Sequence, residues 1–346
     1  MCKDIDTLPY SDLSGKNVFF IEDGQLKEED PYITYIQKRN KYDFKAFRGC
    51  PFACSYCGNK SIRDVHNSTD SFMRKKSVDR VISELRYVLE IFPDIKTLGF
   101  SDEVFISNDK YTEEFAAKYK KEVNLLFTCD ASLQLLTEEN VSQMADAGLK
   151  TVNCGIEVFS EEVRLQVYKR KMNNKKIVEK SRILEKYNVF VMYDFIYDNP
   201  LETAKDIEEC FWDLIIFLPR PCTFNRYSLS HLPKTELTER FLKEGRITED
   251  DIVGMSDKGL VQWKVSYTHE RDKNICFWLI VYDLFCYQIK FNKRSLMVPL
   301  AVVKSIASTR NHFLARAFQK FIAVVQVLIE GRFWRKVKGE YFSCGN

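Results

Sequence analysis

The sequence lacks an apolar run long enough to cross a bilayer. Its longest apolar stretches, 275–287 and 321–329, are interrupted by Asp283 and Gln326. Both are shorter than the about 20 residues that a membrane-spanning helix needs. The first residues also show no apolar signal segment. We therefore expect no transmembrane segment.

An excess of charge of one sign is also missing. The 52 Lys and Arg residues nearly balance the 49 Asp and Glu residues, which leaves a net charge of +3. Proteins that bind nucleic acid through charge usually show a much larger basic excess. Histidine is scarce, with four residues scattered along the chain. We expect no nucleic-acid partner and no zinc site built from paired histidines.

Cysteine, in contrast, is plentiful. Eleven cysteines in a chain of 346 residues form an odd number, and the chain is longer than the small secreted domains that disulfides hold together. We therefore expect reduced cysteines in a cytoplasmic protein. The hydrophobic share of 45% is enough for one large core, or for a core with a small appended domain.

Short apolar or β-branched runs alternate with longer amphipathic ones from about residue 45 to residue 230. This alternation predicts repeated βα units and a parallel sheet. The predicted strands are 44–47, 97–100, 125–128, 151–154, 189–196 and 223–227. The predicted helices are 77–91, 112–121, 137–147, 175–187 and 204–217.

Six strands with right-handed helical crossovers form either a doubly wound sheet or an incomplete α/β barrel. The pattern by itself leaves both open. In either fold the chemistry is expected at the C-terminal ends of the strands. Residues 1–43 lack periodicity and are expected to wrap the domain 44–232, while the pattern of residues 233–346 predicts a mainly helical region.

The first predicted strand leads into a loop with C-x3-C-x2-C spacing, formed by Cys50, Cys54 and Cys57. Three thiolates can bind three irons of a [4Fe–4S] cluster and leave the fourth iron without a protein ligand. The amino and carboxylate groups of S-adenosylmethionine (SAM) can chelate such an iron. We expect the flanking Gly49 and Gly58 to let the backbone fold tightly around the cluster.

A structural zinc site on Cys54 and Cys57 is a second interpretation of this loop. Zinc usually takes four ligands, commonly as two separated pairs, and the sequence contains no second C-x2-C or H-x3-H pair. The same spacing is also compatible with a non-catalytic iron–sulfur or zinc protein, or with a set of buried reduced cysteines.

Further motifs follow the cysteine loop in order along the chain. Residues 48–57 read R-G-C-P-F-A-C-S-Y-C, residues 100–105 read F-S-D-E-V-F, residues 155–160 read G-I-E-V-F-S, residues 168–170 read Y-K-R and residues 198–203 read D-N-P-L-E-T. Together they resemble the radical SAM superfamily, in particular the branch whose members commonly carry an N-terminal cobalamin-binding domain. The resemblance covers about residues 8–251. It departs from the family pattern at Val158-Phe159 and at Pro233-Lys234-Thr235.

The resemblance implies an α/β fold of the partial (β/α)6 TIM-like barrel type with a helical C-terminal extension. It also implies an enzyme with a [4Fe–4S] cluster on Cys50, Cys54 and Cys57 and with SAM as co-substrate. Its reaction is expected to form a 5′-deoxyadenosyl radical or to transfer a methyl group. A flavodoxin or ferredoxin is the expected electron donor.

Polar residues that follow the predicted strands are the candidates for SAM binding. Ser101, Asp102 and Glu103 follow the second strand, where a carboxylate can take the amino group of SAM or of the substrate, and Asp102 is the first choice. Tyr56, within the cluster loop, is assigned to the same set. Glu157 follows the fourth strand and is expected to bond the ribose or amino group of SAM. A solvated loop that caps the next helix is the alternative for 101–103.

Two residues are catalytic candidates. Cys129 ends the third strand, and its weak S–H bond suits it to donate a hydrogen atom; a packed core thiol is the alternative. Asp194 lies in the apolar fifth strand. A carboxylate in such a strand needs a partner, which a position facing the barrel lumen would supply.

Cobalamin is not expected. In the resembled branch the cobalamin domain precedes the cluster, and here only 49 residues precede Cys50, fewer than an ordinary domain contains. The Asp-x-His-x-x-Gly motif of that domain is also missing. A cobalamin-dependent methyltransferase whose cobalamin domain is supplied elsewhere is the alternative.

The expected substrate is an unidentified organic small molecule, or a lipid-like one, because the C-terminal region is rich in aromatic residues that suit an apolar ligand. Ordinary core packing is the alternative for these aromatic residues. Its apolar helices also lie beside a basic end that contains Arg332, Arg335, Lys336 and Lys338. This combination permits peripheral contact with a membrane surface. A solvated charged terminus is the alternative.

Overall fold

The computed structural model describes residues 2, 4–28, 30–65, 72–107, 110–252, 272–291 and 294–330. The chain divides into two compact units. The N-terminal unit comprises residues 1–155, 182–191 and 232–236. The C-terminal unit comprises residues 156–181, 192–231 and 237–346. The division predicted at residues 43 and 232 stays a prediction.

The secondary structure is mixed. The strands are β1 (Phe19–Glu22), β2 (Gln25–Glu28), β3 (Lys41–Phe44), β4 (Phe47–Arg48), β5 (Arg74–Lys75), β6 (Thr97–Phe100), β7 (Leu126–Asp130), β8 (Leu149–Glu157), β9 (Phe190–Tyr197), β10 (Cys222–Ser228), β11 (Gln288–Phe291) and β12 (Arg294–Met297). The α-helices are α1 (Pro31–Arg39), α2 (Gly58–Val65), α3 (Val78–Ile91), α4 (Lys110–Glu122), α5 (Glu138–Ala147), α6 (Asn174–Lys186), α7 (Ala204–Asp213), α8 (Glu236–Lys243), α9 (Lys273–Cys286), α10 (Leu300–Thr309) and α11 (His312–Glu330).

Six strands form one sheet in the order β10-β9-β8-β7-β6-β3. Strands β3, β6, β7 and β8 pair in parallel, and a helix follows each of β6, β7, β8 and β9 along the chain. Sequential parallel strands joined by helices confirm the predicted α/β class. All five predicted helices are present, as α3 to α7.

The first strand of the sheet differs from the prediction. It is β3, which ends at Phe44, and the chain then continues into β4, which pairs antiparallel with β5. The physical reason is the carboxylate of Asp102, which accepts the backbone N–H groups of Ala46 and Phe47. These two N–H groups therefore do not continue the sheet.

Helix α5 shows how local sequence signals set an element's ends. Thr137 and Asn140 form a reciprocal capping box at its start, which satisfies two backbone N–H groups. Gly148 ends the helix with φ +119°, and a Cβ there would lie 2.7 Å from the carbonyl oxygen of Leu125. The predicted start and end of this helix are both confirmed.

Aromatic residues dominate the core of the N-terminal unit. The ring of Phe100 on β6 stacks on Phe105 with centroids 4.2 Å apart. It also meets the edges of Phe115 and Tyr119 on α4 and of Phe127 on β7. Buried rings of this size contribute much of the hydrophobic stabilisation of a domain. The contacts between these rings determine which face of β6 packs against the helices.

The core of the C-terminal unit is built around α9, whose residues from Phe277 to Leu284 are buried except Asp283. Tyr282 packs on Phe195 of β9 and Phe224 of β10, and its hydroxyl donates to the Ile207 carbonyl at 3.0 Å. The aromatic helix α9 is thus core. The hairpin β11–β12 was not predicted, and the basic residues after 330 lie outside the described residues. None of the described helices is both long and apolar enough to cross a membrane.

Candidate active site

The three cysteines lie in the loop between β4 and α2. A turn closes the second half of this loop, because the Cys57 amide donates to the Cys54 carbonyl at 3.2 Å. Gly49 has φ +91°, and a Cβ there would lie 2.5 Å from the Phe72 carbonyl oxygen. Only glycine fits that position. At Gly58 a Cβ would meet Leu232 at an ordinary 3.5 Å, so the predicted need for glycine is wrong there.

The thiols of this loop lie close enough to influence one another. Burial, together with the neighbouring charges of Cys54, Cys57 and Glu103, raises the pKa of Cys50 to about 11. Three thiolates would therefore repel one another unless a cationic group lay between them. A [4Fe–4S] cluster supplies that positive charge, so the three residues fit it. Among the described residues, no three His, Cys, Asp or Glu side chains converge on a single metal ion. A [4Fe–4S] cluster would need each thiolate on a different iron rather than all three on one.

Asp102 is the second residue after β6 and is fully buried. Its Oδ1 accepts the Phe47 amide at 2.5 Å and its Oδ2 accepts the Ala46 amide at 3.3 Å. Burial raises its pKa to about 6, although these two hydrogen bonds lower it. The carboxylate thus holds the backbone that leads into the cysteine loop.

Only one of the two carboxylate oxygens of Glu103 has a described hydrogen-bond partner. Its Oε1 accepts Lys45 Nζ at 2.9 Å, whereas its Oε2 is buried and has no hydrogen-bond partner within the described part of the chain. A buried carboxylate oxygen without a partner is rare. Ser101 is exposed and its amide donates to the Phe44 carbonyl. Tyr56 is half-buried within the cysteine loop.

Cys129 lies on the side of the sheet that faces the helices. It is paired in register with Phe100, whose ring contacts Phe115 of α4, and residues directly opposite in a sheet point to the same face. Cys129 is buried, and burial holds the pKa of its thiol well above the usual range. The next residue, Asp130, points to the opposite face and is opposite Asn153 of β8. This arrangement favours the packed thiol.

In the C-terminal unit, Glu157 ends β8 with φ +78°. This left-handed conformation costs a residue other than glycine about 1–2 kcal/mol, and such strain concentrates at functional sites. The side chain is largely buried, and its Oε1 lies 3.4 Å from Arg170 Nη1. The structure therefore presents Glu157 as a carboxylate held in a strained backbone position beside a guanidinium group.

Asp194 has the hydrogen-bond partner that a carboxylate in an apolar strand needs. Tyr193 and Phe195 are buried on one face of β9, and Asp194 lies on the other. Asn225 Nδ2 donates to its Oδ1 at 2.8 Å. Burial raises the pKa of Asp194, while the Asn225 hydrogen bond and the charge of Arg170 lower it. Asn225, on β10, was not predicted, and the mixed sequence of that strand gives no signal for it.

The loop after β8 is held by two ionisable residues that sequence analysis missed, one fully buried and one half-buried. Arg164 is fully buried, and its guanidinium donates to the Val158 carbonyl at 3.1 Å. Glu202 accepts the Ser160 amide at 2.6 Å and Asn199 Nδ2 at 3.3 Å. Arg164 therefore donates hydrogen bonds to carbonyl groups of the loop, and Glu202 accepts a hydrogen bond from a loop amide. Arg164 has no signal in the sequence, since most helical arginines are exposed, whereas Glu202 lies in the D-N-P-L-E-T segment.

We expect Glu202 to make the stability of the protein depend on pH. Burial raises its pKa from 4.5 to about 7, so the folded state holds a proton that the unfolded state releases. The stability is therefore fully present below pH 4.5 and falls as pH rises through about 7, by up to about 3 kcal/mol. Urea unfolding from acid to neutral pH will show a smaller loss in Glu202→Gln than in the wild type, because the raised pKa of Asp102 contributes to the loss in both proteins. Equal pH dependence in both proteins would contradict it.

Comparisons with known proteins identify relatives of this chain. The family model of the radical SAM superfamily matches residues 44–211. Hopanoid C-2 methylase from Rhodopseudomonas palustris (strain TIE-1) is 26% identical over 214 residues, which cover 59% of this chain and 38% of that protein.

Solved structures show the same fold. The radical S-adenosylmethionine methyltransferase TsrM from Kitasatospora setae superposes with a TM-score of 0.51 at 14% identity, covering 61% of this chain and 40% of TsrM. The cobalamin-dependent S-adenosylmethionine radical enzyme OxsB superposes with a TM-score of 0.50 at 15% identity, covering 69% of this chain and 43% of OxsB. The chain thus spans about two fifths of the length of these relatives. Residues 44–211, with the cysteine loop at their start, therefore form a domain of the radical SAM superfamily.

Proposed function

We propose that this chain holds a [4Fe–4S] cluster on Cys50, Cys54 and Cys57 and cleaves SAM reductively to modify an organic small molecule or a lipid-like substrate. The observation that carries the proposal is the loop of three mutually interacting thiols beside a buried carboxylate oxygen without a described partner. When bound, the cluster supplies the electron that breaks a carbon–sulfur bond of SAM, and a flavodoxin or ferredoxin restores it.

Glu103 is proposed to take the amino group of SAM. Its Oε2 is the buried oxygen available for a cationic ligand, and Lys45 holds its other oxygen in place. Asp102 acts as a positioning residue, because backbone amides engage both of its oxygens. Ser101 and Tyr56 remain in the proposed SAM-binding set. The choice between the two carboxylates is therefore the reverse of the sequence-based one.

Glu157 and Asp194 are proposed to contact SAM and the substrate. The carboxylate of Glu157, oriented by Arg170, suits the hydroxyl groups of the SAM ribose. Asp194 has a pKa above that of an ordinary aspartate, which makes its carboxylate a better acceptor for a proton released by the substrate. Cys129 is assigned no step, because its face of the sheet supports the packed-thiol alternative.

Methyl transfer is the second candidate reaction. Two relatives support this reaction, because one is a hopanoid C-2 methylase and the other is a radical SAM methyltransferase. The solved structures of TsrM and OxsB also contain cobalamin. In this reaction cobalamin would be held by a part supplied outside the residues described here. The formation of S-adenosylhomocysteine when cobalamin is supplied therefore separates the two candidates.

Anaerobic reconstitution with iron and sulfide, followed by dithionite and SAM, tests the proposal. We expect 5′-deoxyadenosine to form. If methyl transfer is the reaction, S-adenosylhomocysteine should form instead once hydroxocobalamin is supplied. A reconstituted protein that yields neither product would contradict both candidates.

A further inference from the structure

Helix α11 presents an apolar face to solvent. Phe313, Phe321 and Val324 are 83%, 62% and 53% exposed. Since successive helical residues are about 100° apart, these three side chains lie within one arc of about 80°. A contiguous apolar face of this kind marks an interaction surface more often than ordinary surface.

The opposite face fixes the orientation of the helix. Ala315 and Ile322 are buried. Gln319 Nε2 donates to Asp283 of α9 at 3.2 Å, and Gln326 accepts the hydroxyl of Tyr287. Turning α11 to bury its phenylalanines would break these polar contacts. The apolar face is therefore held outward by the core of the same unit.

Basic residues line one edge of the apolar face. Arg316 and Lys320 are exposed and lie within about 60° of Phe313 around the helix. No acidic residue occurs between 312 and 329. The sequence that follows, outside the described residues, adds further arginines and lysines at 332–338. Apolar side chains flanked by lysine and arginine are the pattern of a helix that lies in a membrane interface.

We propose that the face formed by Phe313, Phe321, Val324, Arg316 and Lys320 docks on a membrane surface rich in anionic phospholipid. The phenylalanines enter the boundary between headgroups and acyl chains, and the basic side chains contact lipid phosphates. Charge favours lipid over a second copy of the chain, because a symmetric dimer through this face would bring the basic edges of both copies together, with no acidic residue between 312 and 329 to pair with them. The inference rests on α11 and not on the proposed function.

Co-sedimentation of the reconstituted full chain with vesicles tests this surface. The vesicles contain phosphatidylcholine alone, or equal parts of phosphatidylcholine and phosphatidylglycerol. We expect binding to the anionic vesicles, weakened by added salt. Phe321→Ser should lower the partition constant about tenfold, and the double variant Arg316→Glu with Lys320→Glu by at least about 25-fold.

Matched controls keep the result specific. Phe19→Ser removes a phenylalanine that is 56% exposed in the N-terminal unit, and Lys150→Glu reverses an exposed charge on β8; both should bind like the wild type. All variants should unfold at the wild-type temperature and form 5′-deoxyadenosine without vesicles at the wild-type rate, which separates this proposal from the proposed function.

Equal binding to neutral and anionic vesicles, or wild-type binding by Phe321→Ser, would overturn the proposed membrane-docking surface. A dimer that Phe321→Ser dissociates, without vesicle binding, would assign the face to a second copy instead.

Discussion

Replacing Cys50, Cys54 or Cys57 by alanine is expected to abolish SAM cleavage. Each substitution removes one of the three thiolates and leaves a second iron without a protein ligand. The remaining two thiolates do not hold the cluster in the geometry that SAM chelation needs. Iron and sulfide content, together with 5′-deoxyadenosine formation after anaerobic reconstitution, measures the effect.

Cys276→Ala is the matched control for these three variants. Its thiol is half-buried, like those of Cys50 and Cys57, but it lies on α9 in the C-terminal unit. We expect this variant to keep wild-type iron content and activity. A Cys50→Ala protein that cleaves SAM at the wild-type rate would contradict the assignment of the cluster to this loop.

Glu157→Gln is expected to weaken SAM binding by roughly 10- to 150-fold, which corresponds to the about 1.5–3 kcal/mol of a charge-assisted hydrogen bond. Glutamine keeps the size of the side chain and the strained backbone at this position, so the change isolates the charge. The absorbance of the reconstituted cluster should stay unchanged, because Glu157 is not one of its ligands. Anaerobic calorimetric titration with SAM measures the affinity.

The control for Glu157→Gln is Glu185→Gln. Glu185 pairs with Arg182 on the surface of α6, so its substitution also removes a carboxylate from an ion pair, but away from the strand ends. Its SAM affinity should match that of the wild type. Equal affinities for Glu157→Gln and the wild type would remove Glu157 from the proposed SAM site.

Local sequence patterns determined much of the fold. The capping box of Thr137 and Asn140 and the terminal Gly148 place the ends of α5, because hydrogen bonds within a few residues satisfy its end groups. The C-x3-C-x2-C spacing brings three thiols into one loop for the same reason, since residues close in sequence are necessarily close in space. Periodicity likewise located β6 at Thr97–Phe100, as observed.

The sequence by itself thus determined the βα order, the helix ends and the cysteine loop, all of which depend on neighbours along the chain. Only the tertiary structure decided which strand-end side chains are available to a ligand. Asp102 and Glu103 are adjacent in sequence, yet the amides of Ala46 and Phe47, more than fifty residues away, engage the first and not the second. The packed face of Cys129 and the buried charge of Arg164 were decided in the same way. Burial and hydrogen-bond partners depend on contacts between distant parts of the chain, which spacing and periodicity do not encode.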